Sequence, residues 1–119
     1  MDNLTLLLET FPSDSVGLCY DSCHHFNESP AVDLLERYGD RLAALHLHDN
    51  GGKHDQHRLP FDGDVDWPNV MRKIAKTGYT GAVTLEPMNW DYESMQIREY
   101  LDIAHKKAKQ LERMMAVAL

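Results

Sequence analysis

An α/β fold, with short parallel strands alternating with helices, follows from three features of the 119-residue sequence. Residues 16–20, 42–47 and 82–86 form short runs, continuous and apolar up to their closing residues. Such runs are expected where helices cover both faces of a sheet or where strands line a barrel. Between them lie segments whose apolar residues recur at helical spacing. Each run also ends in residues able to ligate a metal: Asp21 and His24 after the first, His46 and His48 at the second, Glu86 closing the third. If the runs are neighbouring parallel strands, those side chains converge on one rim, as they do in barrel enzymes.

Leu4, Leu7, Leu8 and Phe11 predict an opening helix that Pro12 ends. The strand at 16–20 follows. Ser29-Pro30 is a helix start, with Ser as N-cap and Pro at the first helical position. Ala31, Leu34, Leu35 and Tyr38 give that helix one apolar face, and Gly39 closes it. After the strand at 42–47, the polar segment 48–66 is long for a connection without structure; such loops are usually functional or disordered. Asp66 caps the next helix, with Pro68 in its first turn and Trp67, Val70, Met71, Ile74 and Ala75 on its inner face. Gly78 and the turn Tyr79-Thr80-Gly81 lead into the strand at 82–86. From Tyr92 to Ala118 the sequence predicts one long helix. Its series Ile97, Leu101, Ala104, Ala108, Leu111, Met115, Ala118 suits either a coiled coil or a helix lying flat on a sheet.

The length suits one domain with one core, residues 1–119, and 43% apolar with 26% charged residues is ordinary for a globular protein. A net charge of −7 argues against nucleic acid as a partner, because phosphates are gripped by Lys and Arg. Cys19 and Cys23 are too few for a disulfide framework and are expected to be reduced, which points to the cytoplasm. Met1-Asp2-Asn3-Leu4 has no basic region ahead of an apolar stretch, so no signal peptide is expected. No apolar run approaches the roughly 20 residues that span a bilayer.

Taken singly, each candidate has an ordinary explanation. Asp21 could be a cap as well as a ligand. His25 fits a structural role. His46 and His48 share one face if they lie in a strand, and Asp49 could fix an imidazole tautomer from behind. Asp55 and His57 form a D-x-H pair in a loop with Gly51, Gly52 and Gly63; His54 reads as solvated. Glu86 after Val83-Thr84-Leu85 would face a desolvation cost unless it had a use. Arg58 and Lys53 could meet an anionic substrate or solvent, and Trp90 could wall a sugar pocket or simply pack. The conjunction carries the specificity, since three successive runs each end in a ligand type. Mixed imidazole and carboxylate donors suit Zn, Mn, Co or Mg. No P-loop, dinucleotide fingerprint or G-x-S-x-G occurs.

Gly17-Leu18-Cys19-Tyr20-Asp21-Ser22-Cys23-His24, His46-Leu47-His48-Asp49-Asn50, Asp55-Gln56-His57-Arg58-Leu59-Pro60, Asp62-Gly63-Asp64-Val65-Asp66-Trp67 and Thr84-Leu85-Glu86-Pro87 together resemble the xylose-isomerase-like superfamily. Its members include sugar and sugar-phosphate isomerases and epimerases, inosose dehydratases and endonuclease IV-like apurinic endonucleases. The resemblance extends from residue 4 to residue 110 and implies a partial (β/α)8 TIM barrel: the last three parallel β/α units with a preceding helix. It implies a divalent metal held by Asp21, His46 and Glu86, and beyond these His24, Asp55 and His57. Glu86 and His24 would be catalytic, Glu86 moving a proton through an enediolate and His24 meeting a substrate oxygen. A second metal-binding Glu of such isomerases belongs to an earlier strand not present here. The endonuclease-like alternative places Asp21, His24, His46, Asp55, His57 and Glu86 around zinc ions, with a shorter loop between His46 and Asp55 than those enzymes have. A third possibility is a non-catalytic, oligomerising remnant. Three strands cannot close a barrel of eight, so the expected partners are the missing N-terminal half of the barrel or further copies of the chain, besides a small sugar or sugar-phosphate substrate. The isolated chain is expected to lack turnover.

Overall fold

The computed structural model describes residues 3–28, 32–52 and 54–118. Ser29, Pro30 and Ala31, the expected helix start, and Lys53 lie outside the described residues. The order is α1 (Asn3–Thr10), β1 (Leu18–Asp21), α2 (Ser22–Glu28), α3 (Leu34–Tyr38), β2 (Leu42–His46), α4 (Trp67–Lys76) and α5 (Ile97–Val117), with 3-10 turns at Gly39–Arg41 and Trp90–Tyr92. No helix among the described residues is long and apolar enough to cross a membrane.

β1 and β2 pair in parallel, bringing Asp21 opposite His46 and Tyr20 opposite Leu45. The third expected strand is reduced to one parallel bridge, Leu47 to Leu85. Leu47 N–H donates to the Thr84 carbonyl (2.9 Å) and Glu86 N–H to the Leu47 carbonyl (3.0 Å). The ladder does not extend toward Ala82, whose carbonyl accepts from the Tyr79 hydroxyl instead. The segment is nevertheless parallel and in place, so Glu86 arrives at the same end of the sheet as Asp21 and His46.

One face of the sheet is sealed. Leu18, Tyr20, Leu45 and Leu47 are buried with Leu35, Tyr38, Trp67, Met71, Ile74 and Leu111 in a single core. The other face is open: Cys19 and His46 are exposed on it. Burial on both faces, expected from the continuous apolar runs, is therefore met on one side only among the described residues.

Local signals place the helices. Asp66 accepts from the Asn69 amide and Pro68 sits in the first turn of α4, whose Trp67, Met71, Ile74 and Ala75 are buried. Asp33 caps α3 through the amides of Leu35 and Glu36. α2 has no apolar period; Asp21 Oδ1 caps it, accepting from the Cys23 (2.9 Å) and His24 (3.0 Å) amides. α5 begins at Ile97, later than Tyr92, because extended Gln96 precedes it and Tyr92 is held elsewhere, bonding Asp62 and the Leu59 amide. Tyr100 and Leu111 are buried on α5, whereas Ile97 (65%) and Leu101 (57%) stay exposed. In α1 only Thr5 and Leu8 are buried, leaving Leu4, Leu7 and Phe11 in solvent. Arg41 ties α1 to β2 by donating to the Leu8, Phe11 and Val16 carbonyls.

Candidate metal centre

The expected site residues meet where β1, β2 and the Leu85 bridge end. Asp21 closes β1 and His46 closes β2, so parallel pairing alone sets them side by side. His46 Nδ1 lies 3.2 Å from Glu86 Oε2. His48 lies beyond β2, past the Leu47 bridge, and its buried ring presents Nε2 to Asp21 Oδ1 at 3.1 Å and to Glu86 Oε2 at 4.0 Å. His46 and His48 therefore both reach Glu86, as strand alternation requires.

The loop after β2 brings the remaining donors. Asp55 Oδ2 is 3.1 Å from His24 Nε2 and 3.0 Å from His57 Nε2. His57 holds a left-handed backbone (φ 48°) and stacks on His48, ring centroids 3.9 Å apart. An imidazole residue in that conformation is uncommon and marks a position fixed by its surroundings. Asp49 is what fixes the loop. Buried, it accepts from the amides of Asn50, Phe61 and Val65 and from Trp67 Nε1. It does not support an imidazole from behind, the role open to it from the sequence, because alternation turns it away from His48 and into the loop. A short antiparallel bridge to Arg58 completes the anchorage.

Among the described residues, two groups of three could each grip one ion, their ligand atoms all within 4.8 Å of one another: Asp21, His48 and Glu86; and His48, Asp55 and His57. His48, common to both, is among the ligand types at the strand ends in the sequence but not in the set the family resemblance implies; His46, which is in that set, falls in neither group and touches Glu86 instead. Arg58 is committed to Asp91 Oδ2 (2.8 Å) and the Asp62 carbonyl (2.9 Å), so it is not a loose anion grip. His25 packs near Tyr20 and leaves the cluster alone. Trp90, 56% exposed, stands edge-on to His57 at 5.5 Å.

Electrostatics favour a charged Asp21 here. Burial pushes the Asp21 carboxyl up, but hydrogen bonds from His48 and from the His24 amide, with the nearby imidazoles, outweigh it and bring it down to about 2. Burial acts to lower His24, yet the carboxylates of Asp21 and Asp55 raise it overall.

A model of the xylose isomerase-like TIM barrel family matches residues 2–111. The chain belongs to that family. It is 44% identical over 114 residues to the uncharacterized protein y4fM of Sinorhizobium fredii, covering 94% of this chain and 36% of that protein. It is 31% identical over 80 residues to fructoselysine 3-epimerase of Escherichia coli O157:H7, covering 66% of this chain and 29% of that enzyme. D-psicose 3-epimerase of Enterocloster bolteae is 31% identical over 77 residues, with 63% and 24% covered. The chain thus spans well under half the length of the curated relatives it matches. No solved structure matches it.

The donor set fits the divalent metal that such a family implies. His57 Nδ1 faces the Glu86 carbonyl at 2.9 Å while its Nε2 faces Asp55. A neutral ring has one N–H to give; donated to the carbonyl, it leaves the Nε2 lone pair facing Asp55, where a cation fits between them. His48 Nδ1 is buried with no hydrogen-bond partner, an orphaned ligand atom inside the cluster. Imidazole and carboxylate donors together suit Zn, Mn, Co or Mg.

Proposed function

We propose that this chain supplies the last three strand–helix units, with the helix before them, of a (β/α)8 barrel whose complete form is a divalent-metal-dependent sugar or sugar-phosphate isomerase or epimerase. The observation that carries the proposal is the gathering of Asp21, His48 and Glu86, ligand atoms within 4.8 Å of one another, where three successive parallel segments end, with His46 against Glu86. Two relatives named as sugar epimerases support the substrate class. Asp21, His46, Glu86 and His48 would hold the ion, with His24, Asp55 and His57 next to them.

When bound, a divalent cation supplies electrophilic pull on a sugar carbonyl and the hydroxyl beside it, acidifying the intervening C–H. Glu86 takes that proton. Its carboxylate is half-exposed and steered by His46, so it is reachable from the open face of the sheet. Return of the proton to the neighbouring carbon of the enediolate moves the carbonyl; return to the same carbon from the opposite face inverts it. The second proton carrier is a carboxylate on a preceding part of the barrel. His24, largely exposed, hydrogen-bonds a substrate oxygen, and Trp90 stacks on the sugar's C–H face. The partner is that preceding part or another copy of the chain.

The test is ketose epimerisation in heavy water with the chain combined with the N-terminal part of y4fM. Deuterium should enter the reacting carbon only with added Mn²⁺, and Glu86→Gln should abolish it. Deuterium incorporation that ignores Glu86→Gln would sink the proposal. The isolated chain should show no turnover; aldose–ketose conversion by it alone would contradict that expectation.

A second reading, an endonuclease IV-like zinc phosphodiesterase, draws on the convergence of His24 and His57 on Asp55. The net charge of −7 opposes a polyanionic substrate. Zinc-dependent cleavage at abasic sites in DNA would favour it.

A further inference from the structure

Trp90 is bracketed by residues that are all tied to one other segment of the chain. The Met88 amide donates to the His57 carbonyl (2.8 Å). Asp91 Oδ2 accepts from Arg58 Nε (2.8 Å), and Arg58 Nη1 donates to the Asp62 carbonyl (2.9 Å). The Tyr92 hydroxyl donates to Asp62 Oδ2 (2.9 Å) while accepting from the Leu59 amide (3.0 Å). Burial pushes that hydroxyl up to about 12, so it keeps the proton it shares with Asp62. Lys107 on α5 donates to the other Asp62 oxygen. The segment so gripped is strained: His57 (φ 48°) and Phe61 (φ 72°) are both left-handed without being glycine. Such a backbone persists only where its surroundings hold it. Asp49 holds it from within, through the Phe61 amide, and residues 88–92 hold it from without.

We infer that Arg58 and Tyr92 are positioning residues, clasping residues 57–62 to the Trp90 turn so that the indole stands beside His57 as a preset wall of the candidate site. This rests on the sugar-binding reading above and deepens it, since that reading stacks Trp90 on a sugar without saying what holds the ring there. Trp90 is 56% exposed and meets His57 edge-on at 5.5 Å, a contact too small to fix it alone. A single exposed ion pair contributes little. Arg58 does more than pair with Asp91, because it reaches both loops with two donors. Its planar fork is pre-organised, so it loses little freedom for each bond it makes. Arg58 thus serves the wall rather than an anionic group. A ring ordered during folding need not be ordered again when a ligand arrives, which strengthens binding.

Time-resolved fluorescence anisotropy of the purified 119-residue chain reads the clasp directly. The chain has two tryptophans, and Trp90→Phe leaves buried Trp67 as the baseline. In the wild type both rings should depolarise with the tumbling of the whole molecule. Arg58→Ala should give Trp90 a fast component on the picosecond-to-nanosecond scale. Trp67, followed in Arg58→Ala with Trp90→Phe, should not change. Arg58→Lys, which can keep Asp91 but not both acceptors, should restore part of the rigidity. Tyr92→Phe removes one hydroxyl and should give a smaller fast component; it decides the matter should Arg58→Ala fail to fold. A Trp90 that stays rigid in both Arg58→Ala and Tyr92→Phe, or a loosening shared by Trp67, would overturn the positioning role. With the N-terminal part of y4fM added, Arg58→Ala should raise KM for the ketose about tenfold with little change in kcat, because the wall binds and does not move the proton. An unchanged KM would overturn the wall. Failure of the clasp leaves the proton chemistry of Glu86 standing, since anisotropy needs neither metal nor sugar.

Discussion

Asp21 serves a helix and a site with one carboxylate. Oδ1 caps α2 and also takes the His48 Nε2 contact. Its folded pKa of about 2 lies below the ordinary 3.8. A depressed carboxyl contributes stability that is fully present above the unfolded value and is lost as pH falls through the folded one. Between pH 3.8 and about 2 the chain should therefore lose about 2 kcal/mol from this group. Asp21→Asn should flatten that stretch of the curve, read by denaturant titrations at stepped pH. Asp49 is a second such residue, with four donors converging on it. Asp49→Ala leaves buried N–H groups unpaired and should cost about 3 kcal/mol or more. The same variant should expose residues 50–66 to proteolysis. Much at this scale was legible in the sequence: Asp66 followed by Trp67 and Pro68 names a cap and an inner face without tertiary information. The role of Asp49 was not read from the sequence, which offered it as a support behind an imidazole, although alternation past His48 sends it the other way.

Between these residues and the fold stand elements whose existence depends on neighbours. The segment at 82–86 has the composition of a strand, yet it pairs at one point, since the Ala82 carbonyl bonds the Tyr79 hydroxyl rather than a neighbouring strand. α2 was invisible for the opposite reason: Ser22-Cys23-His24-His25-Phe26-Asn27-Glu28 has no apolar period, and a cap with one buried cysteine holds it. The loop after β2 depends on a close approach. A Cβ on Gly63 would stand 2.4 Å from Asp49 Oδ1 and 2.6 Å from the Asn50 carbonyl. Gly63→Ala should push Asp49 off its donors, destabilising the chain by about 2 kcal/mol and loosening the Asp55–His57 pair. Thermal melts with and without Mn²⁺ check this, and the metal-induced rise in Tm should shrink in the variant.

For the molecule as a whole, the uncovered surfaces decide behaviour. Leu4, Leu7 and Phe11 form one exposed stripe on α1, and Ile97 and Leu101 another on α5, while the sheet face bearing Cys19 and His46 is also open. Contiguous apolar surface of this kind drives association. The chain should sediment as a concentration-dependent oligomer, and Leu7→Lys with Phe11→Glu should shift it toward monomer. Sedimentation that stays monomeric at high concentration would show that these stripes are harmless.

The open sheet face also gives the molecule a built-in reporter. Cys23 is sealed, but the Cys19 thiol stands on that face, pushed up first by burial and then by the negative fields of Asp21 and Glu86. A cation seated between those carboxylates would cancel the field and raise the thiolate fraction, so a maleimide dye should label one position faster. A polypeptide docking over the sheet would instead shield it. Labelling speed at this single sulfur thus distinguishes ion loading from barrel completion, with neither a substrate nor a catalytic assay.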